Sequence, residues 1–293
     1  MKEFHAELFY PAANILGESA FWHADRKSCF WVDINKNVFF EMNPKSGQVT
    51  SWPTEGPVSL IVAGKSNDMF LGLFDGIYRF NIETGVFTKI SDLGRDWDNH
   101  RCNDGGVDCE GRLWVGTTDR EHIPFGGALY LLQKNGKVQE KMSRVSISNG
   151  MVWSLDNTYL YHIDSPTKKV NGFHFDAETG DISFDKVIIE TPDRLGSPDG
   201  MTIDSEGMLW IAHWGGFGVG RWNPGTGEQI AFVHVPAPHV SSCVFMGEDL
   251  DELMITTARK EVSEEDLLRF PQSGNLFRVK TNSHGVKRFV CNL

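Results

Sequence analysis

Apolar residues along this chain come in short runs, or alternate with polar ones, and glycine-containing turns separate them. Runs of that length and spacing predict β-strands, and long stretches with helical periodicity are missing, which argues against a βα barrel. The most apolar runs are Cys29–Val32, Met69–Leu73, Leu113–Gly116, Tyr159–Ile163, Leu209–Ala212 and Leu253–Thr256, roughly 40–50 residues apart. After most of them comes a further strand and a tight turn, as in Gly76-Ile-Tyr-Arg-Phe-Asn-Ile-Glu-Thr-Gly85. The Thr-Gly and Ser-Gly endings read as hairpin turns leading to an outer strand such as Gln48–Trp52 or Val86–Ile90. Four short antiparallel strands per unit, in six units, predict an all-β chain: a six-bladed β-propeller of four-stranded antiparallel blades, one domain over residues 1–293. Either Glu3–Tyr10 or Val286–Cys291 could supply the outer strand that closes the ring.

A second pattern lies in front of the apolar runs. Asn103 and Asp199 each stand eleven residues before a Trp, with an Asp five residues on and a Glu-Gly turn at seven and eight. Asn149-Gly-Met-Val-Trp-Ser-Leu-Asp156 is a looser third copy. In a meander blade the first strand lines the central channel, and the loop leading into it shares a rim with the loop joining strands two and three. Glu18, Arg101 with Asn103, Asn149 and Asp199 therefore face one site, where the remaining units offer only Ser59 and Ser241 or Ser242. The loops on the same rim carry Asp119-Arg-Glu121-His122, Asp164-Ser165, His213-Trp214 and the long Arg259–Ser273.

Two carboxylates and an amide carbonyl around one axis, Glu18, Asp199 and Asn149, suit a divalent cation with oxygen ligands, which also removes the cost of two unpaired carboxylates side by side. Turn capping at strand starts is the competing explanation for each of them. Arg101, Asn103 and Glu121 offer a guanidinium, an amide and a carboxylate, a set that recognises the hydroxyls and ring oxygen of a polyol; a rim ion pair between Arg101 and Glu121 is the plainer alternative. His122, His213 and Arg259 are further candidates for contact with a bound molecule. The acidic run Glu261 to Asp266 reads as a solvated face or a short helical lid.

Composition narrows the partners. The chain carries 28 basic and 39 acidic residues, a formal charge of −11, with no basic cluster, so nucleic acid and anionic membrane are not expected. No apolar segment reaches the length of a membrane span and no signal peptide is visible, which predicts a cytoplasmic protein. Five cysteines without a CxxC spacing are expected to be reduced. There is no GxSxG, HExxH or phosphate-loop motif, so serine-hydrolase, zincin and nucleotide chemistries have no support.

Gly17-Glu-Ser-Ala-Phe-Trp22, Arg101-Cys-Asn-Asp-Gly-Gly-Val-Asp108, Gly111-Arg-Leu-Trp-Val-Gly-Thr117, Ser148-Asn-Gly-Met-Val-Trp-Ser154 and Asp199-Gly-Met-Thr-Ile-Asp204 resemble, in order, the motifs of the senescence-marker protein, regucalcin and gluconolactonase family. The resemblance spans Leu16 to about Val279, with Ala20 where the family has a Pro after Gly-Glu-Ser. It implies one divalent metal ion at the mouth of the channel, calcium first, with zinc, manganese, magnesium or ferrous iron also open, and hydrolysis of a small-molecule sugar lactone to an aldonic acid. It further implies that Glu18, Asn149 and Asp199 are metal ligands, that Asp199 is also the general base, and that Arg101, Asn103 and Glu121 contact substrate. A related esterase or phosphotriesterase, or a non-catalytic calcium-binding module, are the alternatives.

Overall fold

The computed structural model describes all residues, Met1–Leu293. Each predicted apolar run is a strand: Ser28–Asp33, Asp68–Leu73, Leu113–Asp119, Tyr159–Asp164, Leu209–Trp214 and Glu252–Ala258. Nearly every residue of these strands is buried, because both their faces pack against neighbouring sheets. Outer strands such as Val86–Ser91 and Val138–Val145 are largely exposed, as their polar sequences require.

Strands pair antiparallel in chain order within four separate four-stranded sheets. The first holds Gly17–His23, Ser28–Asp33, Val38–Met42 and Val49–Pro53; the others start at Val58, His100 and Ser148. The remaining strands do not form two further separate blades. Ser197–Ile203, Leu209–Trp214, Gly218–Asn223 and Glu228–His234 join His239–Met246, Glu252–Ala258, Leu276–Lys280 and the N-terminal strands in one continuous nine-stranded sheet. The expectation of six separate four-stranded blades is thereby corrected to four discrete blades and a nine-stranded sheet. The join is a single backbone pairing, Trp214 with His239, whose rings stack at 4.3 Å and 11°. Leu209–Trp214 extends far enough on the rim to reach the neighbouring first strand, and the stacked rings hold it there.

The N-terminus closes the ring. Lys2–His5 runs parallel to Glu228–His234, and Glu7–Tyr10 runs antiparallel to Leu276–Lys280. The C-terminal candidate, Val286–Cys291, forms no strand. It crosses the mouth opposite the predicted site, tied down where Gly285 N–H donates to Leu250 O (2.7 Å), Cys291 N–H to Ala63 O (2.8 Å) and Asn292 N–H to Gly111 O (2.8 Å). Arg288 projects from this strap into a small cavity of about 20 Å³ in the channel, shared with Asp104.

The recurring Asp-to-Trp spacing has a structural cause. Asp108 is fully buried and accepts from the Trp114 indole N–H (2.8 Å), Arg112 Nε (2.7 Å) and the backbone N–H groups of Glu110 and Arg112. Asp204 repeats this with Trp210 (2.9 Å) and Arg221 Nε (2.8 Å). Each Glu-Gly turn brings its Trp back over the Asp, so one carboxylate closes the hairpin and anchors a core indole. Asp108→Ala leaves Arg112 Nε and the Trp114 N–H without their acceptor and strips a buried guanidinium of its counter-charge, although Nη1 and Nη2 keep Glu178 O and Ala177 O; a loss of about 3–5 kcal/mol is expected in urea unfolding. Hairpin turns toward the outer strands follow a second local rule. Asn43, Asn81, Asp176 and Asn223 accept backbone N–H groups two residues on, and Gly47, Gly85, Gly180 and Gly227 close the turns at φ near +70°. All five cysteines are unpaired.

Candidate functional site

The first strand of every unit carries one extra residue at the same place. Between Cys102 and Gly105 three steps face two on the partner strand, Thr117 to Val115. Equivalent shifts lie at Glu18/Phe21, Val58/Leu60, Ser148/Met151, Pro198/Met201 and Val240/Ser242. A bulge turns the backbone and re-aims the side chain that enters it. Here that side chain is Asn103, Asn149 or Asp199, with Ser59 and Ser241 in two other strands, while Glu18 is the last paired residue before the bulge of its strand. The polar residues that the sequence places at strand starts thus converge because one local distortion recurs.

Glu18, Arg101, Asn103, Asn149 and Asp199 all line a cavity of about 360 Å³ at the channel mouth. Its wall comes from the loops joining second and third strands, including His122, Ser165, Lys260 and Glu261. The shared-rim topology expected from the sequence holds. Glu121 is exposed and does not line the cavity; the neighbouring His122 does. No ion pair joins Arg101 to Glu121. His213 is wholly buried under the sheet and away from the cavity, its proton affinity pushed down to about 3 chiefly by burial, with Arg194 adding to it. Arg259 stays outside as well, while Lys260 and Glu261 enter. The acidic run after them forms a short helix, Glu264–Arg269.

A chain of hydrogen bonds orients the amides. Arg101 Nη1 donates to Asn103 Oδ1 (2.5 Å); Asn103 Nδ2 donates to Asn149 Oδ1 (2.8 Å) and to Ser148 O (2.8 Å). Asn149 Nδ2 donates to Ser165 Oγ (2.7 Å), whose hydroxyl donates to Pro198 O (2.6 Å), next to Asp199. Asn149 Oδ1 accepts a single hydrogen bond, from Asn103, and so keeps a free lone pair. The strand behind is held where Asp164 accepts from the N–H groups of Ser146 and Ile147.

The carboxylates are poorly served by comparison. Glu18 accepts only the N–H of Ser19 (3.2 Å), and the side chain of Asp199 accepts no hydrogen bond from the protein. Burial, then the charge of Asp104, pushes Glu18 up to about 8 against the Ser19 N–H and Arg101. Asp199 is held well above the ordinary carboxylate range by burial and by the charges of Glu18 and Asp104, partly offset by Arg101. Asp104, the residue after Asn103 in the bulge, is itself raised to about 6 by burial. Sequence reading passed over Asp104; its place inside the bulge is the signal that could have found it.

No group of three or more His, Cys, Asp or Glu side chains is arranged to hold a metal ion. A cation at this mouth would therefore take Glu18 and Asp199 plus the Asn149 carbonyl oxygen. That donor set is all oxygen, its two carboxylates receive a single protein hydrogen bond between them, from Ser19 N–H to Glu18, and it fits a hard divalent ion.

The sequence profile described as the SMP-30/Gluconolactonase/LRE-like region matches residues 16–259. The chain belongs to this family. Among its relatives, regucalcin of Gallus gallus is 35% identical over 269 residues, covering 90% of each chain. YvrE of Bacillus subtilis, provisionally assigned as a sugar lactone lactonase, is 31% identical over 271 residues, covering 92% of this chain and 93% of its own. The crystal structure of a calcium-binding protein, regucalcin, from Agrobacterium tumefaciens superposes with a TM-score of 0.95 at 27% identity, over 100% of this chain and 99% of that one. As a member of the SMP-30/gluconolactonase-like family, the chain carries its matched segment over every residue of the mouth up to Arg259, and Lys260 and Glu261 lie just beyond it.

Proposed function

We propose that this protein is a metal-dependent hydrolase that opens sugar lactones to aldonic acids. One observation carries the reading: Glu18, Asn149 and Asp199 meet at one solvent-reachable cavity, and the Asp199 carboxylate there has no protein partner. A structural carboxylate is hydrogen-bonded, as Asp108 and Asp204 are, whereas one kept free and desolvated is available to a metal ion and to water. Membership of a family that includes gluconolactonases, and likeness to YvrE, support the same reading.

Glu18, Asn149 and Asp199 would hold the ion, calcium first in view of the all-oxygen donors and of a relative described as calcium-binding. When bound, such an ion supplies a Lewis acid for the ester carbonyl and its developing negative charge. Asp199 would orient the attacking water and take its proton. Arg101 and Asn103 would hold ring hydroxyls and fix the lactone in the mouth, which is where positioning lowers the barrier. Glu121 would join them only through movement of its loop.

The test is acid release, followed with a pH indicator, from a panel of pentono- and hexonolactones with chelated and then metal-reloaded protein. Acid release that depends on the metal is expected. Silence across the panel with metal bound would sink the lactonase reading and favour the calcium-binding module that the Agrobacterium relative's description suggests.

A further inference from the structure

Opposite the carboxylates, the mouth carries uncommitted positive charge. Of the Arg101 guanidinium only Nη1 is engaged, with Cys102 O (3.1 Å) and Asn103 Oδ1, so Nε and Nη2 have no protein acceptor. Lys260 lines the same cavity, and its one carboxylate neighbour, Glu261, stands 3.9 Å away in a loose pair. The Lys260 backbone is not loose: Arg259 N–H and Lys260 N–H both donate to Ile15 O, at 3.0 and 2.8 Å. His122 lines the same cavity, and after burial the charges of Arg101 and Lys260 lower its proton affinity, against Glu261 and Asp119.

Charge bookkeeping then gives a direction. With Glu18 and Asp199 matched by a divalent ion, and Asp104 beneath them by Arg288, Arg101 and Lys260 have only Glu261 among the charged groups lining the cavity, and one positive charge is left over. A neutral lactone leaves that charge unmatched in a half-enclosed cavity, whereas a lactone bearing an acid fills it with charge-assisted hydrogen bonds.

We propose that the preferred substrate is a sugar lactone carrying a second, anionic group remote from the ester, held by Lys260 together with Arg101. This rests on the lactone-hydrolase reading above. The anion is a carboxylate, as in the lactone of a sugar diacid, or a phosphate ester. The wall between Arg101 and Lys260 selects the substrate, and the Glu18–Asn149–Asp199 floor performs the reaction.

The experiment compares kcat/KM for glucono-1,5-lactone, glucaro-1,4-lactone and 6-phosphoglucono-1,5-lactone in the metal-loaded protein, with Lys260→Met and Lys260→Arg. A preference of about tenfold or more for an acid-bearing lactone is expected, in keeping with one charge-assisted contact. Whether the carboxylate or the phosphate lactone leads identifies the anion. Lys260→Met should lose the preference through KM, and Lys260→Arg should keep it. Equal use of the neutral lactone, or a preference that survives Lys260→Met, overturns the proposal. If no lactone at all is hydrolysed, the enzymatic reading fails separately. Calorimetric binding of glucarate and 6-phosphogluconate against gluconate then decides: tighter, Lys260-dependent binding of either acid upholds the anion site, and equal binding overturns it.

Discussion

Replacing Asp199 by Asn is expected to lower kcat for a neutral aldonolactone by at least about 10³ and, in the same protein, to raise the melting temperature of the metal-free form at pH 8. The loss follows from removing a buried carboxylate at the mouth that accepts no hydrogen bond from the protein, since a positioned general base alone contributes roughly 10²–10⁴. The gain in stability follows from the repulsion described above: Asp199 is desolvated beside Glu18 and Asp104, and the amide takes away one of those charges while keeping the shape. Few substitutions move the two quantities in opposite directions. A merely structural Asp199 would lose stability on replacement, as Asp108 should. Metal affinity measured alongside separates the loss of a base from the loss of a ligand. Activity within tenfold of the parent would remove Asp199 from the mechanism.

The second large effect is the pH dependence of metal binding. Glu18 ionises near 4.5 in the unfolded chain and only near 8 in the fold, so between these values the folded, metal-free protein holds the extra proton. The stability this contributes is fully present below about 4.5 and is lost as pH rises through about 8. A divalent ion replaces the proton. The gap in melting temperature between calcium-loaded and chelated protein should therefore widen steadily from pH 5 to pH 8, and binding at pH 6 should release at least one proton. Titration calorimetry in two buffers of different ionisation enthalpy counts that proton. A constant gap with no proton release would mean that the ion binds elsewhere.

What could be read from the chain follows from how local each feature is. The apolar second strands and the Asx-Gly hairpins depend on residues within ten positions of one another, and the sequence displays them directly. The mouth was legible because the bulge repeats: Asn103, Asn149 and Asp199 stand inside it and share one sequence motif, and Glu18, at its edge, was reached as the residue entering a first strand. Features that depend on a neighbour in space were hidden. The fusion into a nine-stranded sheet hangs on the pairing of Trp214 with His239, which no local pattern announces. Glu3–Tyr10 and Val286–Cys291 look alike as closing strands, and the choice is made by the edge that Leu276–Lys280 presents. On the wall, His122 stands without Glu121 and Lys260 stands in place of Arg259 for the same reason. The course of the long loop is set by Ile15, more than two hundred positions away in the chain.

The closure of the ring has a consequence for how the molecule comes into being. Lys2–His5 waits for Ala231–His234, and Glu7–Tyr10 waits for Leu276–Arg278, so each segment finds its partner more than two hundred positions further along the chain. During translation the early sheets stand complete but unclosed, with the N-terminal strands dangling and the edges at Glu228–His234 and Leu276–Lys280 still to come. Contacts of such separation form late and slowly. Until those partners have been made, the nascent chain is an open arc whose ends are unprotected sheet edges. Substitutions in the first ten residues should be felt as lost yield during biogenesis more than as lost activity in the finished protein.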